Sequence, residues 1–213
     1  MINAYDKVYL EKAQTVLGRM IDYAFYDLEY DADCFFELFI VSGFADRFGD
    51  GDYTLIVGKS GVELARIVIE KTLGESVRTK PKYEVGRSPE YWAGWALAYY
   101  QWLTSLSFRE IVSAVPLSEI IAMYSPYHEM DVRQFCDKMT EFYKSKNPET
   151  NLKRLRRSGN MTQNELAMQS GIPLRTVQQY EQRQKDINKA RAEYLIALSK
   201  VLNCSPDDLI EKV

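Results

Sequence analysis

The sequence is poor in the residues that catalysis and metal binding most often use. His128 is its single histidine, so a Ser-His-Asp arrangement would have to run through that one side chain. His128-Glu129 lacks the second histidine of an HExxH helix, and Gly43, Gly49, Gly51, Gly58 and Gly61 fit no phosphate-cradling spacing. No catalytic residue, no cofactor and no enzymatic role is therefore expected. Cys34, Cys136 and Cys204 are odd in number and form no CxxC pair, which argues against a disulfide framework and a zinc site and leaves three small hydrophobes. No metal is expected either. No run approaches the roughly 18 apolar residues of a membrane span. Met1 to Asp6 also lacks the basic, apolar and small-residue succession of a signal peptide. The expectation is a cytoplasmic chain with no membrane partner. Strand-like alternation is scarce as well, and Tyr53 to Val57 is the one short candidate.

What is present is helix after helix. Of the 213 residues, 46% are hydrophobic, enough for a sizeable core. Tyr9, Ala13, Val16, Leu17, Met20, Ile21, Ala24, Phe25 and Leu28 follow the i, i+3, i+4, i+7 spacing of an amphipathic helix. Ser60 with Glu63 and Ser107 with Glu110 are capping boxes, and Ser88-Pro89 puts a hydroxyl at an N-cap and proline at the first helical position. A helix over Asp131 to Lys144 runs into a polar stretch ending in Asn147-Pro148, where proline disfavours helical geometry in its predecessor. We place a domain boundary there, giving segments 1–147 and 148–213. The charge is uneven. Residues 151–213 carry eleven Lys/Arg against seven Asp/Glu, while the first 150 residues carry 16 against 23. A basic end on an acidic body predicts a polyanionic partner for that end alone.

The last segment reads as five short helices. Leu152 to Ser158 ends at Gly159-Asn160. Thr162 and Glu165 cap a second helix, which closes at Gly171. Pro173 suits the first turn of a third helix over 173–182, with Val177 and Tyr180 inward. Asn188 is the expected start of a fourth, with Leu195, Leu198 and Leu202 buried, and Ser205-Pro206 caps a fifth that buries Leu209 and Ile210. Two short helices joined by a glycine-containing turn form the geometry in which the second helix enters the major groove of DNA. The run Thr162-Gln163-x-x-Leu166-Ala167-x-x-x-Gly171-Ile172-Pro173-x-x-Thr176-Val177-x-x-Tyr180-Glu181 resembles the Xre/Cro-type helix-turn-helix family of phage and bacterial repressors. The resemblance implies an all-α chain whose C-terminal third is a five-helix lambda-repressor-like domain that binds double-stranded DNA. It further implies that Thr162 and Gln163 bring a helix N-terminus against a phosphate. Leu174, Arg175, Thr176, Gln178 and Gln179 are implied on the exposed start and face of the recognition helix. Arg175 suits guanine O6/N7, and Gln179 suits adenine N6/N7. Arg183 and Lys185, with Lys189, would follow as phosphate contacts, and Arg156 of the first helix would pair with Glu181 of the third. Two departures stand out. Leu174 occupies a position the family usually gives to a polar base reader, implying a thymine-methyl contact or none. Gln182-Arg183 replaces the usual small residue after the glutamate.

The acidic body has one unusual stretch, Tyr91 to Trp102. At 3.6 residues per turn, Tyr91, Trp95, Tyr99 and Trp102 share one face, while Trp92 and Tyr100 share another. Such a helix is either the buried centre of the domain or the wall of an aromatic pocket or partner surface. Ser60-Gly61-Val62-Glu63-Leu64 and Ser88-Pro89-Glu90-Tyr91-Trp92-x-Gly94-Trp95 also resemble bacterial proteins that join such a domain to an Xre-type module, often beside small toxin-like genes. The resulting expectation is a dimeric repressor. The alternatives are an antitoxin whose N-terminal domain binds a toxin, and a regulator responsive to a small molecule.

Overall fold

The computed structural model describes residues 3–82, 87–146 and 149–212. The chain divides into two compact units, Met1–Lys144 and Ser145–Val213; the expected boundary at Asn147-Pro148 lies outside the described residues. Every regular element among the described residues is helical, and the fold is all-α.

In the first unit the α-helices are α1 (Leu10–Asp22), α2 (Ala32–Val41), α3 (Phe44–Gly49), α4 (Tyr53–Ile56), α5 (Gly61–Leu73), α6 (Pro89–Thr104), α7 (Phe108–Ala114), α8 (Leu117–Ala122), α9 (Tyr124–Tyr127) and all but the last two residues of α10 (Val132–Lys146). Local chemistry sets several starts. The Ser60 and Ser107 hydroxyls accept the backbone N–H of Glu63 and Glu110, whose carboxylates accept the cap N–H in return. Ser88 caps α6 ahead of Pro89. α6 runs through the interior, with Ala93, Ala96, Leu97, Ala98 and Tyr100 fully buried. It lies against α1 at backbone contact. A Cβ on Gly94 would sit 2.8 Å from both the Gly18 Cα and the Leu17 carbonyl oxygen. Two facing glycines thus let the helix axes close up where any side chain would hold them apart. Phe36, Phe39, Phe48 and Phe108 complete the core, with ring centroids 5.6–6.2 Å apart in edge-to-face and tilted pairs.

The strand expected at Tyr53 to Val57 is instead the helical turn α4. Asp52 accepts from the Thr54 N–H, and the Ile56 N–H returns to the Asp52 carbonyl. The burial pattern explains the correction. Leu55 and Ile56 are adjacent and both buried, whereas Tyr53 and Val57 are exposed, which a two-residue period cannot produce.

The second unit holds α11 (Asn151–Ser158), α12 (Gln163–Ser170), α13 (Leu174–Glu181) and α14 (Ala192–Leu202), with 3-10 turns at Ile187–Lys189 and Pro206–Leu209. Leu152, Leu166, Ile172, Val177, Tyr180, Ile187, Leu198 and Leu209 pack as one core. Three expectations need adjustment. The fourth helix begins at Ala192, not at Asn188. Asn188 is tied across the unit instead, its Oδ1 accepting the Glu211 N–H at 2.9 Å. The fifth element is a 3-10 turn, capped by Ser205 and Asp208 as a box. Pro173 is the N-cap of α13 rather than its first residue, so that helix runs over Leu174–Glu181.

Candidate nucleic-acid interface

α12 and α13 are placed by three local devices. Thr162 Oγ1 accepts the Glu165 N–H at 3.2 Å, and the Glu165 carboxylate accepts the Thr162 N–H at 2.7 Å. That backbone hydrogen bond holds the Glu165 carboxyl below its ordinary range. Gly171 ends α12 in the left-handed region at φ 70°, a conformation that costs an L side chain energy. Ile172 then drops into the core, and α13 starts two residues later.

α13 is fixed by its inner face. Val177, Tyr180 and Glu181 are buried. Around Glu181 the polar groups are arranged in detail. Arg156 Nε donates to Glu181 Oε1 at 2.6 Å and Nη2 to Oε2 at 3.0 Å, a two-pronged pair joining α11 to α13. Arg156 Nη1 donates to the Met161 carbonyl at 2.6 Å. Gln163 Nε2 donates to Glu181 Oε2 at 2.7 Å, so α12 joins the same carboxylate. The side chains of Arg156 and Glu181 keep 10% and 1% of their exposure. Burial by itself would raise the Glu181 carboxyl, but hydrogen bonds from Arg156 and Gln163, with the Arg156 charge, hold it below its ordinary value. The hydrogen bond to Glu181 correspondingly raises Arg156.

The outer face of α13 is polar. Leu174 and Arg175 are exposed at its start, and Thr176, Gln178 and Gln179 are half-buried along it. The structure thus brings together on one short helix every residue expected to face bases. It treats the expected phosphate contacts differently. Thr162 and Lys185 are exposed, and Lys189 is exposed while pairing with Asp186 at 3.6 Å. The Gln163 amide is turned toward Glu181 rather than outward. Arg183 takes a left-handed backbone at φ 55°, and its guanidinium donates to Glu211 at 3.2 Å. Arg183 is thereby directed to the C-terminal segment, and a phosphate would have to compete with a carboxylate for it. Neither partner was legible beforehand, since Glu181 and Glu211 lie 18 and 28 residues away in the chain.

In the first unit the expected aromatic face separates into two parts. Trp102 is 5% exposed and its indole N–H donates to the Tyr5 carbonyl at 2.8 Å, so it is a core residue and not part of a surface. Tyr99 packs its ring on Trp102 at 5.7 Å. Tyr91, Trp92 and Trp95, in contrast, line a cavity of about 390 Å³ with Tyr124, Tyr127 and His128. No described helix is long and apolar enough to cross a membrane.

Two short helices about a glycine turn, the second buried along one side and polar along the other, define a helix-turn-helix DNA-binding domain. Residues 152–209 match the family model described as Helix-turn-helix, and this segment is of the Xre/lambda-repressor-like type. Its presence marks the chain as a DNA-binding regulator. Neither a curated protein nor a solved structure matches the chain.

Proposed function

We propose that the chain is a dimeric, sequence-specific repressor that reads its operator through the major groove with Leu174–Glu181. The observation behind this reading is the division of α13. Its inner face is anchored by Val177, Tyr180 and the Arg156–Glu181 pair, which leaves Arg175, Thr176, Gln178 and Gln179 on a fixed outer face. Arg175 stands near the helix N-terminus, where side chains reach base edges in this geometry, and Lys185 lies beyond the C-terminus, where backbone phosphate passes. Two copies are invoked because one module covers too little DNA for high selectivity. In this reading the chain acts by binding, with no catalytic step. Selecting bound duplexes from a random library with the full chain tests it. Enriched sites should contain two related half-sites about one helical turn, roughly 10 base pairs, apart, and the chain should lower transcription from a promoter overlapping such a site. Absence of enrichment sinks sequence-specific binding, a single half-site sinks the dimer, and raised transcription makes the chain an activator.

The aromatic-walled cavity in the first unit favours a second reading, in which the regulator answers to a small molecule.

A further inference from the structure

The cavity's volume of about 390 Å³ lies in the lower part of the roughly 300–1,000 Å³ range of small-molecule sites. Six of its ten lining residues carry rings: Tyr91, Trp92 and Trp95 from α6, and Tyr124, Tyr127 and His128 from the stretch between α8 and α10, with Arg87, Met130, Asp131 and Val132 completing the wall. These rings are braced before any ligand arrives. Trp92 meets Phe135 at 5.3 Å edge-to-face, and Tyr124 stacks on His128 at 4.0 Å. Trp92 and Tyr124 stand at 82° to each other, so the walls present ring planes in two directions. Fixed walls reduce the ordering cost of binding.

We propose that this cavity is a binding site for a flat organic cation. Ring faces carry negative potential and attract cations. The wall already shows that chemistry, since the Arg87 guanidinium lies 5.2 Å from the Tyr91 ring centroid. The two charged lining residues, Arg87 and Asp131, offset each other formally. The rings and the surrounding field then decide the sign of the guest. Residues 1–150 carry 16 basic against 23 acidic side chains, a balance that draws cations and repels anions. Asp131 accepts the Arg133 N–H at 2.8 Å, which orients its carboxylate and leaves acceptor capacity for a ligand. A planar two- or three-ring cation would therefore stack on Trp92 or Trp95 with its charge toward Asp131.

This ligand class deepens the small-molecule reading, and binding is measured without DNA, so its outcome is separate from that of the repressor reading. The experiment is calorimetric titration of the full chain with N-methylquinolinium and N-methylacridinium, against 1-naphthoate as an anion of similar shape. At least one cation should bind about tenfold or more tighter than naphthoate. Trp95→Leu, which keeps apolar bulk but removes the ring, and the surface change Asp131→Asn should each weaken that cation several-fold, with the circular dichroism unchanged. Absence of binding by both cations, naphthoate binding as tightly, or an unaltered cation affinity in a folded Asp131→Asn chain overturns the proposal.

Discussion

The two units are held by different means. In Met1–Lys144, phenylalanine rings interlock and α1 and α6 touch backbone to backbone at Gly18 and Gly94. Burial of a single such ring is worth about 1.5–3 kcal/mol, and the core has many. Ser145–Val213 is less than half that size, and small domains bury proportionally less of their surface. There the arrangement of α11, α12 and α13 converges on the Glu181 carboxylate, which accepts from Arg156 and Gln163. The larger unit is thus most vulnerable to added volume. The smaller is most vulnerable to removal of one charge, because a buried ion stripped of its partner costs more than the pair contributed.

The largest effect that distinguishes the units should come from Glu181→Ala. It leaves Arg156 buried and unpaired and should cost the second unit about 3–5 kcal/mol, with the thermal transition of the first unaltered in calorimetry. A single shifted transition for the whole chain would break the comparison, and unchanged melting with lost DNA affinity would mean that Glu181 serves recognition. Acid titrates the same pair. The Glu181 carboxyl is lowered in the folded state from 4.5, so its contribution is complete above that value. It is lost as pH falls through the lower folded one. Near-neutral unfolding midpoints followed downward in pH should show a larger loss for the second unit in the wild type than in Glu181→Gln. Gly94→Ala is the mirror experiment. Its Cβ meets Gly18 and Leu17 at 2.8 Å, and it should destabilise the first unit by about 1–3 kcal/mol through overpacking, leaving the second transition in place. A gain in stability there would show that α1 and α6 can separate without loss.

Recognition should be affected less, and more selectively. Arg175→Ala should cost about 1–3 kcal/mol on the selected duplex and relax discrimination at one base pair. Equal weakening on matched and scrambled duplexes would make Arg175 a phosphate anchor and move base reading to Gln178 or Gln179. Lys185→Ala should give the smallest change, a uniform weakening that lowers the salt slope by about one unit.

Features set by neighbours in the chain could be read from the sequence. The Ser60, Ser107 and Thr162 capping boxes each join residues three positions apart, and the Gly171 turn needs only glycine's freedom, so both these helix starts and the helix-turn-helix followed from spacing. Features set by distant partners could not be read from local spacing, and the Arg156–Glu181 pair was implied by the family resemblance alone. Asn188 looks like a helix cap until Glu211 engages it, and Trp102 looks like a surface aromatic until the Tyr5 carbonyl takes its N–H. Arg183 and Gln163 have the composition of phosphate contacts, yet each has a carboxylate partner from another part of the unit. The cavity was half legible for the same reason. Tyr91, Trp92 and Trp95 stand out as a cluster, while Tyr124 and Tyr127 reach it from another part of the chain.

The anchoring of α13 at Glu181 also works as a lever. Arg175 lies six residues up the helix from Glu181, about 9 Å along the axis at the usual rise per residue. A tilt of about 5° about the carboxylate would sweep the guanidinium end by roughly 0.8 Å over that arm. A bidentate contact to a base edge tolerates only a few tenths of an ångström before its two bonds fall outside good geometry. In the repressor reading proposed above, sequence selectivity at one end of the helix therefore depends on how stiffly Arg156 and Gln163 clamp the other. A conservative change at either clamp could blur which operator is chosen while every side chain facing the DNA stays the same.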